Sequence, residues 1–271
     1  MSTPSITIPA PRQATDREEI VDRYAGVKQY SLAQIIGVWA AAAIPMGVLA
    51  WVVAPVLEDH LSGTGRVPMI KALLLLLTAG LIWQFVLVAL LLWREQGTLR
   101  WSVARDALWL RSPRSPKTGR IGGKLWLILI PCILLFTVEA LLPVFGAPRN
   151  RDFSSFVSSD VGHHFLSGAW GWFGLILVLF VFNTVLGEEL LFRGLLLPRM
   201  KRAFGRGDWA ANGVLFAGYH IAMPWLIPWT LLVDTFAIAY PARRYQSAWI
   251  GIIVHSTQSV FFAVIILTLV M

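Results

Sequence analysis

The stretch LGEELLFRGL at residues 186–195 places two glutamates and an arginine within a long run of otherwise apolar residues. A charged side chain at the centre of a bilayer costs roughly 2.5–3.5 kcal/mol on insertion scales, so a cluster of three indicates a use. Glu189 and Arg193 are four residues apart and share one face of a helix, where they can pair. Glu188 is rotated from Glu189 by about 100°. The spacing therefore predicts one neutralised carboxylate and one, that of Glu188, which is free for chemistry.

The composition of the 271-residue chain predicts an integral membrane protein. Hydrophobic residues make up 56% of it and charged residues only 14%, whereas a soluble domain has about 25% charged residues. Thirteen tryptophans are typical of aromatic belts at membrane interfaces. The net charge of +8 suits loops that face an anionic lipid surface. Because no nucleic-acid module is recognisable, we expect the lipid bilayer as a partner and not nucleic acid. Cys132 is the only cysteine, which excludes an intramolecular disulfide.

Seven apolar segments are candidates for spans of about 20 residues. In chain order they are Leu32–Val56, Pro68–Trp93, Leu125–Phe145, Phe165–Gly187, Trp209–Ala222, Trp225–Tyr240 and Trp249–Met271. They predict an all-α fold, a polytopic transmembrane bundle of about seven helices. The fourth helix is expected to continue to about Met200, because residues 190–198 are apolar apart from Arg193 and Gly194.

Lysines and arginines are concentrated in alternate loops of this predicted bundle. The clusters are Arg94, Arg100, Arg105, Arg111, Arg114, Lys117, Arg120 and Lys124, then Arg199, Lys201, Arg202 and Arg206, then Arg243 and Arg244. The positive-inside rule places these loops and the N-terminus in the cytoplasm. We expect the membrane to be a bacterial plasma membrane.

The chain is expected to have three parts. Residues 1–30 are polar and predict a cytoplasmic tail, with a short interfacial helix near Arg17–Tyr30. Residues 31–160 would contribute the N-terminal transmembrane helices and the basic cytoplasmic loop. Residues 161–271 would form the transmembrane core that carries the candidate site residues.

Three ionisable residues on three predicted spans lie at the same depth. Glu188 is 11 residues from Arg199, His220 is 12 residues after Asp208, and His255 is 11 residues after Arg244. At about 1.5 Å per residue, each is roughly 17 Å from the cytoplasmic edge. The shared depth predicts a single cavity that holds all three side chains and is reached from the cytoplasmic side.

A carboxylate and two histidines at one depth are typical of water-activated hydrolysis. The carboxylate can act as a general base, and the histidines can orient water or stabilise an oxyanion. Neither the serine-hydrolase motif G-x-S-x-G nor the zinc motif H-E-x-x-H occurs in the sequence. We therefore expect no catalytic metal and no other cofactor.

These motifs resemble the CAAX prenyl protease and bacteriocin-processing (CPBP) family of intramembrane proteases. The resemblance extends over roughly residues 165–271 and rests on three spaced motifs, Glu188-Glu189-x-x-x-Arg193, Phe216-x-x-x-His220 and His255-x-x-x-Ser259. It implies a helical membrane enzyme with its active site inside the bilayer. It also implies a glutamic endopeptidase that cleaves a membrane-associated peptide or protein, either a prenylated CAAX-type tail or an unprenylated bacterial peptide.

The resemblance assigns a role to each motif residue. Glu188 would activate the water and His220 would position it. His255 and Ser259 would stabilise the oxyanion, and the Glu189–Arg193 pair would support the site. The family usually has asparagine at the position of Ser259, whose hydroxyl is a shorter donor than an amide.

Other functions fit the same residues. A non-catalytic membrane protein, such as a self-immunity or partner-binding protein, could use the constellation for binding, and Ser259 favours this alternative. A proton-coupled transporter also places Glu and His in its spans, but no pair of broken helices is visible. A purely structural ion pair would explain Glu189 and Arg193 but not Glu188.

Three further polar residues have open assignments. Glu139 is expected near the outer interface. Asp234 lies at a depth similar to that of the three site residues and is a candidate member of their network. Thr184 precedes Glu188 by one helical turn and is a candidate hydrogen-bond donor to it.

Overall fold

A computed structural model describes residues 26–64, 67–139 and 141–271. Of these described residues 80% are helical, and none forms a β-strand. The long helices, with their irregular turns included, are α1 (Leu32–Leu61), α2 (Pro68–Gln96), α7 (Trp170–Arg199), α10 (Pro224–Tyr245) and α11 (Ala248–Val270). The shorter ones are α3 (Trp101–Ala107), α4 (Leu129–Glu139), α5 (Phe153–Val157), α6 (Asp160–Leu166), α8 (Lys201–Phe204) and α9 (Asp208–Tyr219).

The five long helices are long and apolar enough to cross a membrane. The all-α polytopic fold is therefore confirmed, whereas a count of seven spans is not. In the predicted third span the α-helix covers only the 11 residues of α4, after a 3₁₀ segment at Gly123–Ile128. In the predicted fifth span it covers only the 12 residues of α9. Both are shorter than the roughly 20 residues that a span needs.

Wider π-helical turns interrupt three of the long helices. They lie at Leu49–Val53 in α1, at Phe182–Gly187 and Leu190–Leu196 in α7, and at Thr235–Ala239 in α10. Such turns are rare in proteins, and those that do occur often lie at functional sites. The two in α7 lie on either side of the two glutamates, so they determine which way both carboxylates point.

The chain before α1 is fixed to the ends of α2 and α7 on the side of the basic loops. The backbone N–H of Tyr30 donates to the carbonyl of Arg199 at 2.9 Å. Arg199 is buried and pairs with Glu95 at 2.7 Å, and the Tyr30 hydroxyl donates to the same carboxylate. Burial and this carboxylate raise the pKa of Tyr30 well above its usual range. The expected helix at Arg17–Tyr30 lies largely outside the described residues, and residues 26–30 are not helical.

A packed layer closes the bundle between the glutamates and the basic loops. It consists of residues with 0% exposure, namely Leu191, Phe192, Leu195, Leu196 and Phe216. The first four follow Glu189 toward Arg199 on α7, and Phe216 lies one turn before His220 on the basic side. None of these five residues lines either of the two cavities that contain Glu188.

Candidate active site

Glu189 and Arg193 form the ion pair that their spacing predicts. Arg193 Nη1 lies 3.1 Å from Glu189 Oε1, and both side chains have 0% exposure. The guanidinium carbon of Arg193 lies 3.9 Å from the ring centroid of Phe216, a cation–π geometry. Phe216, the first residue of the F-x-x-x-H motif, therefore packs against the guanidinium group of the buried Arg193.

Glu189 also binds His255. His255 Nδ1 lies 3.1 Å from Glu189 Oε1, the same oxygen that faces Arg193. An ionised carboxylate only accepts, so Nδ1 carries the proton and Nε2 is the nitrogen left for the cavity. Gly251, one turn before His255, makes room for this contact, because a Cβ there would overlap Glu189 Oε2. The carboxylate paired with Arg193 therefore sets the orientation of the histidine.

Glu188 faces away from that pair and is held by neutral groups. With its amide nitrogen turned toward Glu188, Asn183 donates to Oε1 at 2.9 Å and to Oε2 at 3.3 Å. The Tyr219 hydroxyl lies near Glu188 and can donate to it, and it accepts a bond of 2.5 Å from Gln84 Nε2. Glu188 is 4% exposed. It is a carboxylate fixed by an amide and a phenol, with no arginine or lysine as a direct partner in the described residues.

The backbone hydrogen bond of His220 fixes its tautomer. Its Nδ1 lies 2.9 Å from the carbonyl oxygen of Phe216. A carbonyl oxygen only accepts, so Nδ1 donates and Nε2 is the free nitrogen, an acceptor in the neutral ring. The helix α9 ends at Tyr219 and the chain turns at His220–Ala222, which places His220 at the deep end of α9.

Glu188, His220, His255 and Ser259 line one cavity of about 310 Å³. They come from α7, the turn after α9, and α11, and three of the four are buried. Glu189 and Arg193 lie behind this wall and do not line it. The cavity thus brings together the four residues that the resemblance marks as catalytic.

The cavity extends away from the basic loops. Its lining includes Val144 and Asp152 between α4 and α5, residues 153–154 at the start of α5, and residues 225–226 at the start of α10. Val144 and Ser154 are exposed, while the packed layer closes the opposite direction. Access from the side of the basic loops stays a prediction, and the close-packed apolar side chains on that side do not favour it.

A second, apolar cavity of about 160 Å³ adjoins Glu188 on its other side. Its walls are aliphatic side chains of α2 and α7, including Leu77, Leu81 and Leu179, and Arg151 also lines it. Arg151 is held in place, since its Nη1 donates to the carbonyl of Ala50 at 2.7 Å. Glu188 therefore lines both cavities, and the larger one is called the polar cavity below because it contains the ionisable side chains.

Sequence reasoning identified some of the site's polar residues and missed others. Glu139, expected near the outer interface, lines the polar cavity, as does Asp234. Thr184 does not bond Glu188; its hydroxyl donates to the carbonyl of Phe180 and accepts from Ser256. Tyr219 was not singled out, although its position next to His220 in a motif was a usable signal.

Among the residues that the structure describes, no group of three or more His, Cys, Asp or Glu side chains has a geometry that could hold a metal ion. The expectation of a reaction without a metal or other cofactor stays a prediction. The division of the chain near residue 160 also stays a prediction.

Residues 170–261 match the family model described as Rce1-like, type II CAAX prenyl endopeptidase Rce1-like. The matched segment runs from the start of α7 into α11 and contains all four cavity residues of the three motifs. The resemblance to CPBP proteases is thereby confirmed over this segment, which is similar to Rce1-like domains. It indicates a protease, carried by an integral membrane protein. Among curated proteins and among solved structures, no significant match was found.

Proposed function

We propose that the protein is a glutamic intramembrane endopeptidase that hydrolyses a peptide bond of a membrane-associated substrate. The observation that carries the proposal is the position of Glu188. It lines a cavity with His220 and His255, while the neighbouring carboxylate of Glu189 takes up the charge of Arg193. A carboxylate held by neutral donors can accept and return a proton, which is the task of a general base.

The proposed mechanism uses Glu188 and His220 to activate water. A water molecule in the cavity would give one proton to Glu188 while its oxygen attacks the carbonyl carbon of the scissile bond. Nε2 of His220 would accept a hydrogen bond from the same water and fix its lone pair toward the carbonyl. The protonated Glu188 would then deliver this proton to the departing nitrogen as the carbon–nitrogen bond breaks.

The negative charge on the carbonyl oxygen needs donors on the other side of the reacting carbon. We propose that His255, when protonated at Nε2, and the Ser259 hydroxyl one turn later on α11 would donate. Glu189 would favour the protonated form of His255, because its carboxylate contacts Nδ1. Losing one such donor costs typically 100- to 1000-fold in rate.

The two cavities beside Glu188 suggest how a substrate would lie. An apolar group next to the scissile bond would enter the aliphatic cavity of α2 and α7, and the peptide would cross Glu188 into the polar cavity. Substrates of this kind include a prenylated CAAX-type tail and an unprenylated apolar peptide. We also propose a bacterial plasma membrane with the basic loops and the N-terminus in the cytoplasm.

The test compares three purified proteins in lipid nanodiscs, wild type, Glu188→Gln and Glu58→Gln. The last variant makes the same change near the far end of α1, away from the cavity. Each is incubated with apolar peptide libraries, with and without a farnesylated cysteine, and the products are identified by mass spectrometry. We expect cleavage by wild type and Glu58→Gln and none by Glu188→Gln. Binding of peptides with no cleavage by any variant would support the non-catalytic alternative that Ser259 favours.

A further inference from the structure

Two carboxylates in the polar cavity have no part in the proposed hydrolysis. Glu139 at the end of α4 and Asp234 on α10 both line the cavity that contains Glu188. The helix α4 packs against α10, and Thr230, which also lines the cavity, lies one turn before Asp234 on the same face of α10. The two carboxylates therefore lie on one wall of the cavity, opposite α7.

Asp234 is buried without a complete set of partners. It is 3% exposed, and its Oδ1 has no hydrogen-bond partner among the described residues. A buried polar atom without a partner is unfavourable, and native proteins rarely retain one without a reason. An oxygen left open in a cavity wall is a place where a donor from a ligand can bind.

The charges around the cavity do not balance. Arg193 forms an ion pair with Glu189 outside the cavity, and the cavity lining includes no lysine or arginine. Four lining acidic side chains, those of Glu139, Asp152, Glu188 and Asp234, then face two histidines. His220 donates through Nδ1 and is an acceptor at Nε2. Even with His255 protonated, three of the four acidic side chains have no cationic partner in the lining.

The other walls of this part of the cavity suit a cation as well. Phe136, Phe262 and Trp225 line it, and aromatic faces attract ammonium and guanidinium groups. Asp152 lines the cavity on the side of Val144 and Ser154, where its carboxylate also accepts from the backbone N–H of Ser154 at 3.1 Å. A positively charged group entering from this side meets carboxylates throughout its path.

From these observations we infer that Glu139 and Asp234 form a subsite for a cationic group of the substrate, a lysine or arginine side chain or a free amino terminus. The inference rests on the proposed function, because the subsite lies beside the bond on which Glu188 would act. A bound ammonium or guanidinium group donates to Asp234 Oδ1 and to Glu139, and it supplies the missing positive charge. The enzyme therefore prefers a substrate with a cation next to an apolar segment.

The test measures peptide binding and not only cleavage. The inactive Glu188→Gln protein is titrated with pooled apolar peptides that each contain one lysine or arginine, and with matched pools in which glutamine replaces it. Acetylated and free amino termini form two further arms, which separate a side-chain ligand from a terminal one. Trp225, in the cavity wall, is replaced by phenylalanine in a parallel protein to identify its fluorescence signal.

We expect the basic pools, or the pools with free amino termini, to bind about tenfold or more tightly than their neutral counterparts. Asp234→Asn and Glu139→Gln, each added to the Glu188→Gln protein, should remove that preference by about 10- to 100-fold, the usual effect of losing a charged hydrogen-bond partner. Asp59→Asn, an exposed carboxylate at the end of α1, should not change it. Thermal unfolding of each variant separates a binding effect from misfolding. If one of the two variants does not fold, the loss of the preference in the other is enough to test the subsite.

Equal binding of basic and neutral peptides by a folded protein would overturn the inference, because Glu139 and Asp234 would then share a proton in place of binding a cation. A preference for basic peptides without any cleavage by the wild type would keep the subsite and reject the proposed hydrolysis. Cleavage that depends on Glu188 but shows no preference for basic peptides would keep the proposed hydrolysis and reject the subsite. The two proposals therefore fail separately.

Discussion

One oxygen of Glu189 serves two partners, since Oε1 lies 3.1 Å from His255 Nδ1 and 3.1 Å from Arg193 Nη1. The second glutamate of the E-E-x-x-x-R motif therefore connects α7 to α11 and the buried arginine to the histidine of the cavity. Replacing it should change both the packing and the orientation of His255. The two adjacent glutamates thus have different tasks, which the first two predictions separate.

Glu188→Gln and Glu189→Gln should have unequal effects. The first keeps the shape of the side chain but cannot accept a proton, so hydrolysis should fall by at least about 100-fold with little change in melting temperature. The second leaves Arg193 buried beside a neutral amide, so the protein should unfold at a lower temperature and also lose activity. Activity assays and thermal unfolding in the same detergent check both. Full activity in Glu188→Gln would reverse the assignment.

Gly251→Ala should inactivate the protein through Glu189. The added Cβ would overlap Glu189 Oε2 and lie 2.9 Å from a methyl group of Ile238, so the carboxylate must leave its position beside His255. Gly171→Ala is the control, since a Cβ there meets nothing within 4 Å. We expect the control to retain activity and stability. Normal activity in Gly251→Ala would mean that the position of Glu189 does not matter to His255.

Tyr219→Phe should lower turnover while leaving substrate affinity unchanged. The phenol connects Gln84 to Glu188, and its loss leaves the base with one donor fewer, that is, with Asn183 alone. A hydrogen bond to a charged group contributes about 1.5–3 kcal/mol, so kcat should fall about 10- to 100-fold. Tyr240→Phe, a half-exposed tyrosine on α10, is the control. A change confined to KM would assign Tyr219 to substrate binding.

Ser259→Asn should raise turnover if Ser259 is a weak second donor to the oxyanion. The side chain lines the cavity and is 9% exposed, and asparagine restores the longer donor usual in the family. Ser259→Ala should lower turnover only modestly, because His255 carries most of the stabilisation. Steady-state rates of the three proteins decide this. Equal rates in all three would exclude the residue from the oxyanion site.

The cavity should be reached from outside the cell if the basic loops are cytoplasmic. In a Cys132→Ala background, a cysteine at the exposed rim position Ser154 should react with a membrane-impermeant maleimide in intact cells. A cysteine at Ser102, exposed among the basic loops, should react only after the cells are permeabilised. The opposite pattern would place the basic loops outside and the cavity mouth in the cytoplasm.

Composition and the long apolar runs were enough to predict the fold class, but not the number of spans. The segments Leu125–Phe145 and Trp209–Ala222 have the hydropathy of spans. A 3₁₀ segment at Gly123–Ile128 and the turn at His220–Ala222 shorten their α-helices. These irregularities arise from packing against neighbouring helices, for example where Trp51 donates to the carbonyl of Ile221 at 2.8 Å. Hydropathy does not report such contacts.

The common depth of Glu188, His220 and His255 was predictable, whereas the partners of Glu188 were not. On a regular α-helix Thr184 lies near the face of Glu188, and Asn183 is turned away from it by roughly 140°. The π-turn at Phe182–Gly187 shifts that register, because Glu188 N–H bonds the carbonyl five residues earlier, at Asn183. The face of the helix that holds the base was therefore set by a backbone irregularity that the side-chain pattern does not reveal.

The packed layer formed by Leu191, Phe192, Leu195, Leu196 and Phe216 also has an electrical consequence. A cavity that opens to the aqueous phase on just one side of the membrane has nearly the electrical potential of that phase down to Glu188. Much of the transmembrane voltage then falls across the packed layer. A full crossing is equivalent to about 2.3 kcal/mol per charge per 100 mV, and a charge that enters the cavity experiences a fraction of this. If the basic loops are cytoplasmic, as proposed, an energised membrane would draw cations toward the site and oppose the entry of anions, and substrate capture would then be coupled to the energy state of the cell.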